Sequence, residues 1–263
     1  MDVADKKYFM KFNDATGRKL RPLANAFEED FKTGSDLDEA DNDILMSLAF
    51  YLWNLDGKAD VIREKSGEKE AVLYEPTVDE IERAMSAYHV AFEKELTEKN
   101  FHEAVHYLSD ILSGPNKKTP RVEYRRVPVA IFNGRGKRVY TPPEPEYVGA
   151  LMASVFNQTV LLLKQDLSVS EIFYHAALIH LKVIQIHPFI KNNVKATVLL
   201  EKWFLKEKLG NCFIKLPSEK YYFENKDRYN VNTLTGSAFN NIDDDRCLPF
   251  LLMLPESLKI RDI

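Results

Sequence analysis

The sequence has little cysteine, little excess charge and no long apolar run. Only two of its 263 residues are cysteine, Cys212 and Cys247, and they form no CxxC pair. A disulfide framework and a zinc knuckle are therefore not predicted, and we expect both thiols to be reduced and structural. The net charge of −4 and the isoelectric point near 5.9 provide no general attraction to phosphate backbones, so a nucleic-acid partner is not expected.

Membrane and secretory signals are also missing from the sequence. No apolar run approaches the ~20 residues that span a bilayer, and the opening residues MDVADKKYFMKF lack the apolar segment of a signal peptide. We therefore expect a cytoplasmic protein without a membrane partner. Hydrophobic residues make up 45% of the chain and charged residues 29%, which is typical of a soluble globular protein with an ample core.

Helical periodicity begins after the first thirty or so residues, which show no clear period and are expected to be irregular. A first helix is predicted from Ser35 to the sequence NLDGKAD, where Gly57 permits a turn. Thr77 and Glu80 have the spacing of a capping box and predict the start of a second helix. A third helix is predicted to end at SGPN, with one apolar face made by Phe101, Val105, Leu108, Ile111 and Leu112.

The segment VEYRRVPVAIFNGRGKRVYTPP interrupts the helical pattern. Val127, Val129 and Ile131 alternate with other residues, NGRG is turn sequence, and an extended run resumes at Val139. A β-hairpin is predicted here. Pro128 has no amide proton, so the first strand cannot be central in a sheet, and we expect an exposed flap whose edge can accept another strand.

The second half of the chain predicts a bundle of helices. Apolar stripes run from Val148 to Leu162 and from Ile172 to Ile186. From Asn193 to Gly210 the pattern is apolar nearly all round, which predicts the buried centre of the bundle. A polar and aromatic segment and a short final apolar element, CLPFLLMLPESL, follow.

Two histidines mark the junction between the last two of these helices. His187 follows the apolar residue Ile186, and His180 stands seven residues earlier on nearly the same face. The loop after His187 leads into a helix N-terminus, where unpaired amides and the positive end of the helix dipole favour phosphate oxygens.

The sequence around this junction resembles the Fic (Fido) family. The family signature is Ile-His-Pro-Phe-x-Asp/Glu-Gly-Asn-Gly-Arg-x-x-Arg, with a histidine seven residues before the motif histidine and a flap hairpin upstream. Here HLKVIQIHPF keeps the histidine spacing and the His-Pro-Phe core, and YRRVPVAIF with VYTPPEPEYVGALM is similar to the flap and the helix after it. The resemblance covers roughly residues 77 to 255. It implies an all-α Fic-type bundle with a small β-hairpin flap, formed by residues 77–263 after an N-terminal helical extension, residues 1–76.

The resemblance implies transfer of a nucleoside monophosphate, usually AMP from ATP, to a hydroxyl of a target protein. The motif histidine, His187 here, would be the general base. The acidic residue of the motif holds magnesium, its glycines let amides approach the phosphates, and its arginines neutralise phosphate charge.

The second half of the motif departs from the family pattern. The magnesium ligand is Lys191, the glycines are Asn192 and Val194, the first arginine is Lys195, and the last is Val198. Lys191 cannot ligate magnesium, so the usual metal geometry is not expected, and a lysine could pair with a phosphate directly. Asn192 tolerates a left-handed backbone and Val194 does not.

We therefore expect ordinary adenylyl transfer to be weak, altered or lost. The predicted site has His187 as the catalytic base. Nucleotide or phosphate contacts are assigned to Lys191, Asn192, Asn193, Lys195 and Tyr229. The flap residues Val127, Val129 and Ile131 are assigned to the target protein, and no metal ligand is assigned. The alternative is a non-catalytic module that binds a protein through the flap.

Plainer interpretations stand beside these assignments. His187 could be an ordinary helix-junction residue, Lys191 and Lys195 could be solvated at a helix start, and Tyr229 could pack a surface loop. His180 is expected to be a hydrogen-bonded core histidine, and the pair His102 and His106 is not expected to bind metal.

An inhibitory helix of the family pattern Ser/Thr-x-x-x-Glu-Gly/Asn could involve Ser66 and Glu70 or Ser35 and Glu39, but alanine follows both glutamates. The sequence leaves the target protein and a homo-oligomer open.

Overall fold

The computed structural model describes residues 3–16, 39–55, 62–65, 68–71, 76–109, 122–133, 135–210 and 216–260, with the backbone alone at 39–42, 62–65 and 68–71. Most of these residues are helical, which confirms the predicted all-α class. Two small antiparallel hairpins accompany the helices.

The elements follow one another as a helical chain with two strand pairs. Before the second hairpin lie α1 (9–16), α2 (Glu39–Asn54), β1 (Ile62–Lys65), β2 (Glu68–Ala71), α3 (Val78–Glu93) and α4 (Glu98–Tyr107). The second hairpin is β3 (Ile131–Phe132) and β4 (Arg138–Tyr140). The rest comprises α5 (Pro145–Leu163), α6 (Val169–Ile186), α7 (Asn193–Leu209), α8 (Ser218–Glu224), α9 (Lys226–Thr233), α10 (Leu248–Leu251) and α11 (Met253–Glu256).

Helices α6 and α7 form the centre of the bundle. The sequence predicted this position for α7, whereas α6 was predicted as a helix with one apolar stripe. Fourteen of the 18 residues of α6 are buried, and 13 of the 17 residues of α7. A helix buried on all sides has no polar face for water, so the side chains of both helices must be satisfied by other parts of the protein. That requirement makes the polar residues of α6 and α7 the informative ones.

Several helix boundaries confirm the sequence signals. Thr77 caps α3, and its reciprocal partner Glu80 completes the predicted capping box. Helix α4 ends at Tyr107, and the predicted continuation through Ile111 and Leu112 lies outside the described residues. The final apolar segment forms α10 and α11. Cys247 is a free, buried thiol, and Cys212 lies outside the described residues.

The expectation of an irregular N-terminal lead-in is wrong for residues 9–16, which are helical. Tyr8 and Phe12 are buried, and the amide of Tyr8 donates a hydrogen bond to Tyr174 Oη at 3.2 Å. The carbonyl of Val3 lies 2.8 Å from His175 Nδ1. A helix of this length is too short to show an apolar periodicity in the sequence. Its contacts with α6 stabilise it.

The N-terminal residues and the later helices contribute to the same hydrophobic core, which contains Phe12, Leu48 and Trp53 together with the apolar residues of α6 and α7. The division at residue 77 remains a prediction.

The hairpin of β1 and β2 was not predicted. Its strands, IREK and EKEA, pair from Ile62 with Ala71 to Lys65 with Glu68. Charged residues dominate both strands, so the apolar alternation that signals a strand is absent.

The predicted flap hairpin is present, but its first strand starts later than expected. Ile131 pairs with Tyr140, and Phe132 pairs with Arg138 across a register shift. Val127 and Val129 precede the strand, so placing them in it was wrong. Pro128, which cannot donate a ladder hydrogen bond, lies between them. The side chain of Asn133 organises the turn by accepting from the amides of Arg135 and Lys137, each at 3.0 Å.

Within the described part of the chain, one helix has the length and composition of a membrane span. Helix α5, 19 residues long, meets both criteria, and core helices of soluble proteins meet them as well. Six of its residues are buried in the bundle, including Met152 and Phe156.

Candidate active site at the junction of helices α6 and α7

A left-handed turn ends α6 at His187. The backbone of His187 has φ 52° and ψ 61°, and its amide donates to the carbonyl of Val183 at 3.0 Å. Non-glycine residues pay a steric cost in this region, so surrounding contacts must hold the turn. Among the described residues, Asn192 is the other non-glycine residue with positive φ, at 63°. The junction is thus a short loop with a left-handed residue at each end.

The side chain of Asn193 closes this loop. Its Oδ1 accepts a hydrogen bond from the amide of Phe189, and its Nδ2 donates one to the Phe189 carbonyl, both at 2.8 Å. Asn193 is 2% exposed. This amide is therefore fully engaged in holding the loop's backbone.

Aromatic packing anchors the middle of the loop. The Phe189 ring contacts the rings of Phe101, His102 and Tyr124, with centroids 5.6 to 6.1 Å away. His102 Nδ1 lies 2.8 Å from the carbonyl of Val122. These contacts give His102 a packing role, and no group of three His, Cys, Asp or Glu residues that could hold a metal ion occurs in the part of the chain that the structure describes.

Arg125 ties the loop to the flap, and it is not among the site residues predicted from the sequence. Its guanidinium donates to the carbonyls of His187, Ile186, Val127 and Pro143, and its amide donates to Pro188. The side chain is buried. In the sequence it is one of two adjacent arginines before the hairpin, and only the tertiary structure distinguishes it from the exposed Arg126.

A cleft of about 540 Å³ opens beside His187. The flap forms one wall through Ile131, Phe132 and Tyr140, and α6 contributes Gln185. The opposite wall comes from α9 and the residue after it: Tyr229, Asn230, Val231, Thr233 and Leu234. The lining is mainly apolar, with a few amide and hydroxyl groups, a composition common in sites for small organic ligands.

Burial keeps His187 neutral. Desolvation and, to a smaller extent, the positive charge of Arg125 lower the pKa of His187 to about 4. The Ile184 carbonyl raises the pKa in part, although Nδ1 is buried without a partner of hydrogen-bond geometry. With Nδ1 inside the protein, the Nε2 edge of the ring is the one that can serve a ligand in the cleft. At pH 7 this imidazole is uncharged and can accept a proton.

The comparisons with known proteins agree with this architecture. Residues 95–205 match the family model described as Fic/DOC family. Residues 95–205 therefore belong to a Fic domain. No curated protein matches the sequence.

Solved Fic structures share the fold. A Fic-domain protein from Bacteroides thetaiotaomicron is 19% identical with a TM-score of 0.53, covering 90% of this chain and 94% of that one. A Fic family protein from Desulfovibrio desulfuricans is 15% identical with a TM-score of 0.61, covering 91% of this chain and 72% of that one. Fic-1 from C. elegans is 15% identical with a TM-score of 0.50, covering 93% of this chain and 69% of that one. At these identities the likeness establishes the fold alone.

The lysines of this Fic domain's motif point in different directions. Lys191 is exposed in the loop. Lys195 is 2% exposed, and its ammonium lies 3.6 Å from the centroid of the Trp53 ring, which α2 supplies. The alternative interpretation of Lys195 as a solvated residue is wrong, because a cation–π contact can hold a lysine against a buried indole. Val198 is fully buried core. Neither Lys191 nor Lys195 lines the cleft beside His187.

His180 is the predicted hydrogen-bonded core histidine. Its Nδ1 lies 2.8 Å from Glu201 Oε2, and its Nε2 lies 2.8 Å from Tyr229 Oη. Tyr222 donates to the same carboxylate oxygen at 2.9 Å. Tyr229 thus joins the cleft wall of the Fic domain to a buried polar network.

The two candidate inhibitory segments differ in structure. Glu70 lies in strand β2, so the helical hypothesis fails for that residue. Glu39 is the first residue of α2. Ser35 and Ser66 lie outside the described residues.

Proposed function

We propose that this Fic domain binds a nucleotide in the cleft and transfers its nucleoside monophosphate to a hydroxyl of another protein, at a rate below that of Fic domains with the full motif. The observation that carries the proposal is the position of His187, which lines a cleft between the flap and α9 at the turn before α7. Tyr229 lies in the same lining, and because it is 2% exposed, a nucleobase in the cleft would meet only a small part of its ring.

The proposed reaction is an in-line displacement. A target hydroxyl oxygen attacks the α-phosphorus of ATP, the bond from that phosphorus to the bridging oxygen breaks, and pyrophosphate leaves. Nε2 of His187 receives the hydroxyl proton. The pKa near 4 keeps His187 in the neutral form that this step needs, but it also makes His187 a weak base.

Magnesium does not fit the residues of this loop. The motif position that would ligate it is Lys191, whose exposed amine repels a cation. We propose instead that Lys191 pairs with a phosphate as a point charge. Asn192 would offer its backbone amide nearby, Asn193 would hold the loop in shape, and Lys195 would contribute only after leaving the Trp53 ring.

The experiment is transfer of label from α-labelled ATP to lysate proteins. His187→Ala should lower transfer to background, whereas His89→Ala, which changes an exposed histidine on α3, should leave it unchanged. Transfer should also persist in a chelator. Equal transfer by wild type and His187→Ala would overturn the assignment of the base, and transfer that stops in the chelator would overturn the interpretation of Lys191.

A second candidate function is protein binding through the flap without chemistry. The observation that favours it is the exposure of apolar residues there: Val127 is 52% exposed and Phe132 is 60% exposed. A peptide could add to this small two-stranded sheet.

This second function predicts a bound protein that is lost on Val129→Pro and that needs no nucleotide. Val78→Pro is the control, because Val78 is exposed at the first position of α3, where proline is tolerated. Retention of the protein by Val129→Pro would exclude pairing through the segment just before β3.

A further inference from the structure

We propose that Arg125 is a positioning residue that fastens both ends of the flap to the turn presenting His187, so that the flap and the turn move as one unit. The inference deepens the proposed function and rests on it for the role of His187. Its geometry, however, can be tested without nucleotide or transfer.

The hydrogen bonds of Arg125 converge on three separate segments. Nε donates to the His187 carbonyl at 2.8 Å, and Nη2 reaches the Ile186 carbonyl at 3.4 Å. Nη1 donates to the Val127 carbonyl at 3.1 Å, and Nη2 donates to the Pro143 carbonyl. The backbone amide of Arg125 adds a bond to the Pro188 carbonyl at 2.8 Å. One buried side chain therefore satisfies carbonyls before the flap, after the flap and at the end of α6.

Through these contacts Arg125 connects the base of the flap to the turn at His187. Val127 and Pro143 flank the hairpin of β3 and β4, which walls the cleft. Residues Ile186 and His187 form the end of α6, where carbonyls lack partners within the helix. A shift of the flap's base therefore strains the bonds that hold the left-handed turn at His187, and a shift of the turn strains the flap.

Both the positive charge and the planar shape of the Arg125 guanidinium contribute to this connection. The guanidinium sits at the negative end of the α6 dipole, which stabilises a cation. Burial lowers the pKa of Arg125, and the carboxylate of Glu144, just before α5, raises it in part. The charge of Arg125 also acts on His187, where it lowers the pKa.

Lysine cannot replace this arrangement. The planar guanidinium offers five donors in fixed directions, whereas an ammonium has three around a single nitrogen. Arg125→Lys therefore keeps the charge and loses part of the connection, and Arg125→Gln loses both. The two variants separate geometry from charge.

The test uses the full chain, with amide hydrogen exchange at Ile131 and Tyr140 and NMR titration of the His187 ring. Arg125→Lys should accelerate flap exchange about tenfold with little change in the titration midpoint of His187. Arg125→Gln should accelerate exchange as well and raise the midpoint by about one pH unit. Arg126→Gln is the control, because Arg126 is exposed and pairs with Glu123; it should change neither.

Flap exchange in Arg125→Lys equal to that of the wild type would overturn the proposed connection. An unchanged midpoint in Arg125→Gln would overturn the contribution of charge. If Arg125→Gln fails to fold, Arg125→Lys decides the connection alone. Neither the exchange rate nor the titration midpoint needs ATP. A failure of the proposed nucleotidyl transfer can therefore be distinguished from a failure of the proposed role of Arg125.

Discussion

The two ends of the loop between α6 and α7 use polar residues in opposite ways. At the first end, His187 lines the cleft, and Arg125 holds its backbone from behind. At the second end, Asn193 is bonded to the loop backbone, and Lys195 lies buried over Trp53. The first end therefore has a side chain, His187, that is available for chemistry. At the second end, Asn193 and Lys195 stabilise the fold instead.

The position of a residue in the motif therefore does not decide by itself what its side chain contacts. A lysine in place of an arginine keeps a positive charge in the sequence, but the charge serves a phosphate only if the ammonium faces it. Here α2 supplies an indole that holds the ammonium elsewhere. The side chains of Asn193 and Lys195 at the second end are therefore part of the core, whereas His187 at the first end lines the cleft.

Replacing Trp53 tests the structural role of the second end most severely. Trp53→Ala removes a fully buried ring and leaves the Lys195 ammonium over a cavity, so we expect a loss of about 4 kcal/mol in the free energy of unfolding. Urea denaturation measures it. Met46→Ala, at an exposed position of the same helix, should change stability by no more than about 0.5 kcal/mol. Equal losses for the two variants would contradict the importance of this contact.

Replacing Asn193 tests whether the loop depends on its internal hydrogen bonds. Asn193→Ala leaves the buried amide and carbonyl of Phe189 without partners, which should cost about 3 kcal/mol in urea denaturation. Asn157→Ala, on the exposed side of α5, provides the comparison and should be nearly neutral. A loss below about 1 kcal/mol for Asn193→Ala would show that water replaces these bonds.

At the first end of the loop, His187 should make the free energy of unfolding depend on pH. The folded-state pKa of His187, about 4, lies below its unfolded value near 6.5, so the unfolded chain binds the additional proton between these limits. Stability from His187 is complete above pH 6.5 and falls as the pH drops toward 4.

Between pH 7 and pH 5 the wild type should lose about 2 kcal/mol more than His187→Gln. His175, whose pKa burial also lowers, is present in both proteins, so the difference isolates His187. Parallel stability curves for the two proteins over this range would refute the burial of a neutral His187.

The smallest effect concerns the left-handed backbone of Asn192. Asn192→Ala should cost about 1 kcal/mol, because alanine adopts this conformation less readily than asparagine. Asn192→Gly should be neutral within a few tenths. Thermal unfolding of both variants measures the difference, and identical midpoints would mean that the loop relaxes to another conformation.

Local sequence rules predicted those parts of the fold that depend on neighbours in the chain. The reciprocal bonds of Thr77 and Glu80 span one helical turn, and the left-handed Asn192 follows from its short polar side chain. The flap was found from its turn, but its strand bounds were missed because pairing depends on the partner strand.

The sequence by itself determined the helical class, the buried position of α7, and the position of His187 at the junction of α6 and α7, because periodicity and motif order are written along the chain. Only the tertiary structure decided which of two adjacent arginines holds the turn and where Lys195 points. The side chain of Arg125 bonds to carbonyls up to 62 residues away, and Lys195 contacts a ring from α2. Such contacts depend on how distant segments fold together, so a lysine that reads as a phosphate ligand in the motif lies instead over a buried tryptophan.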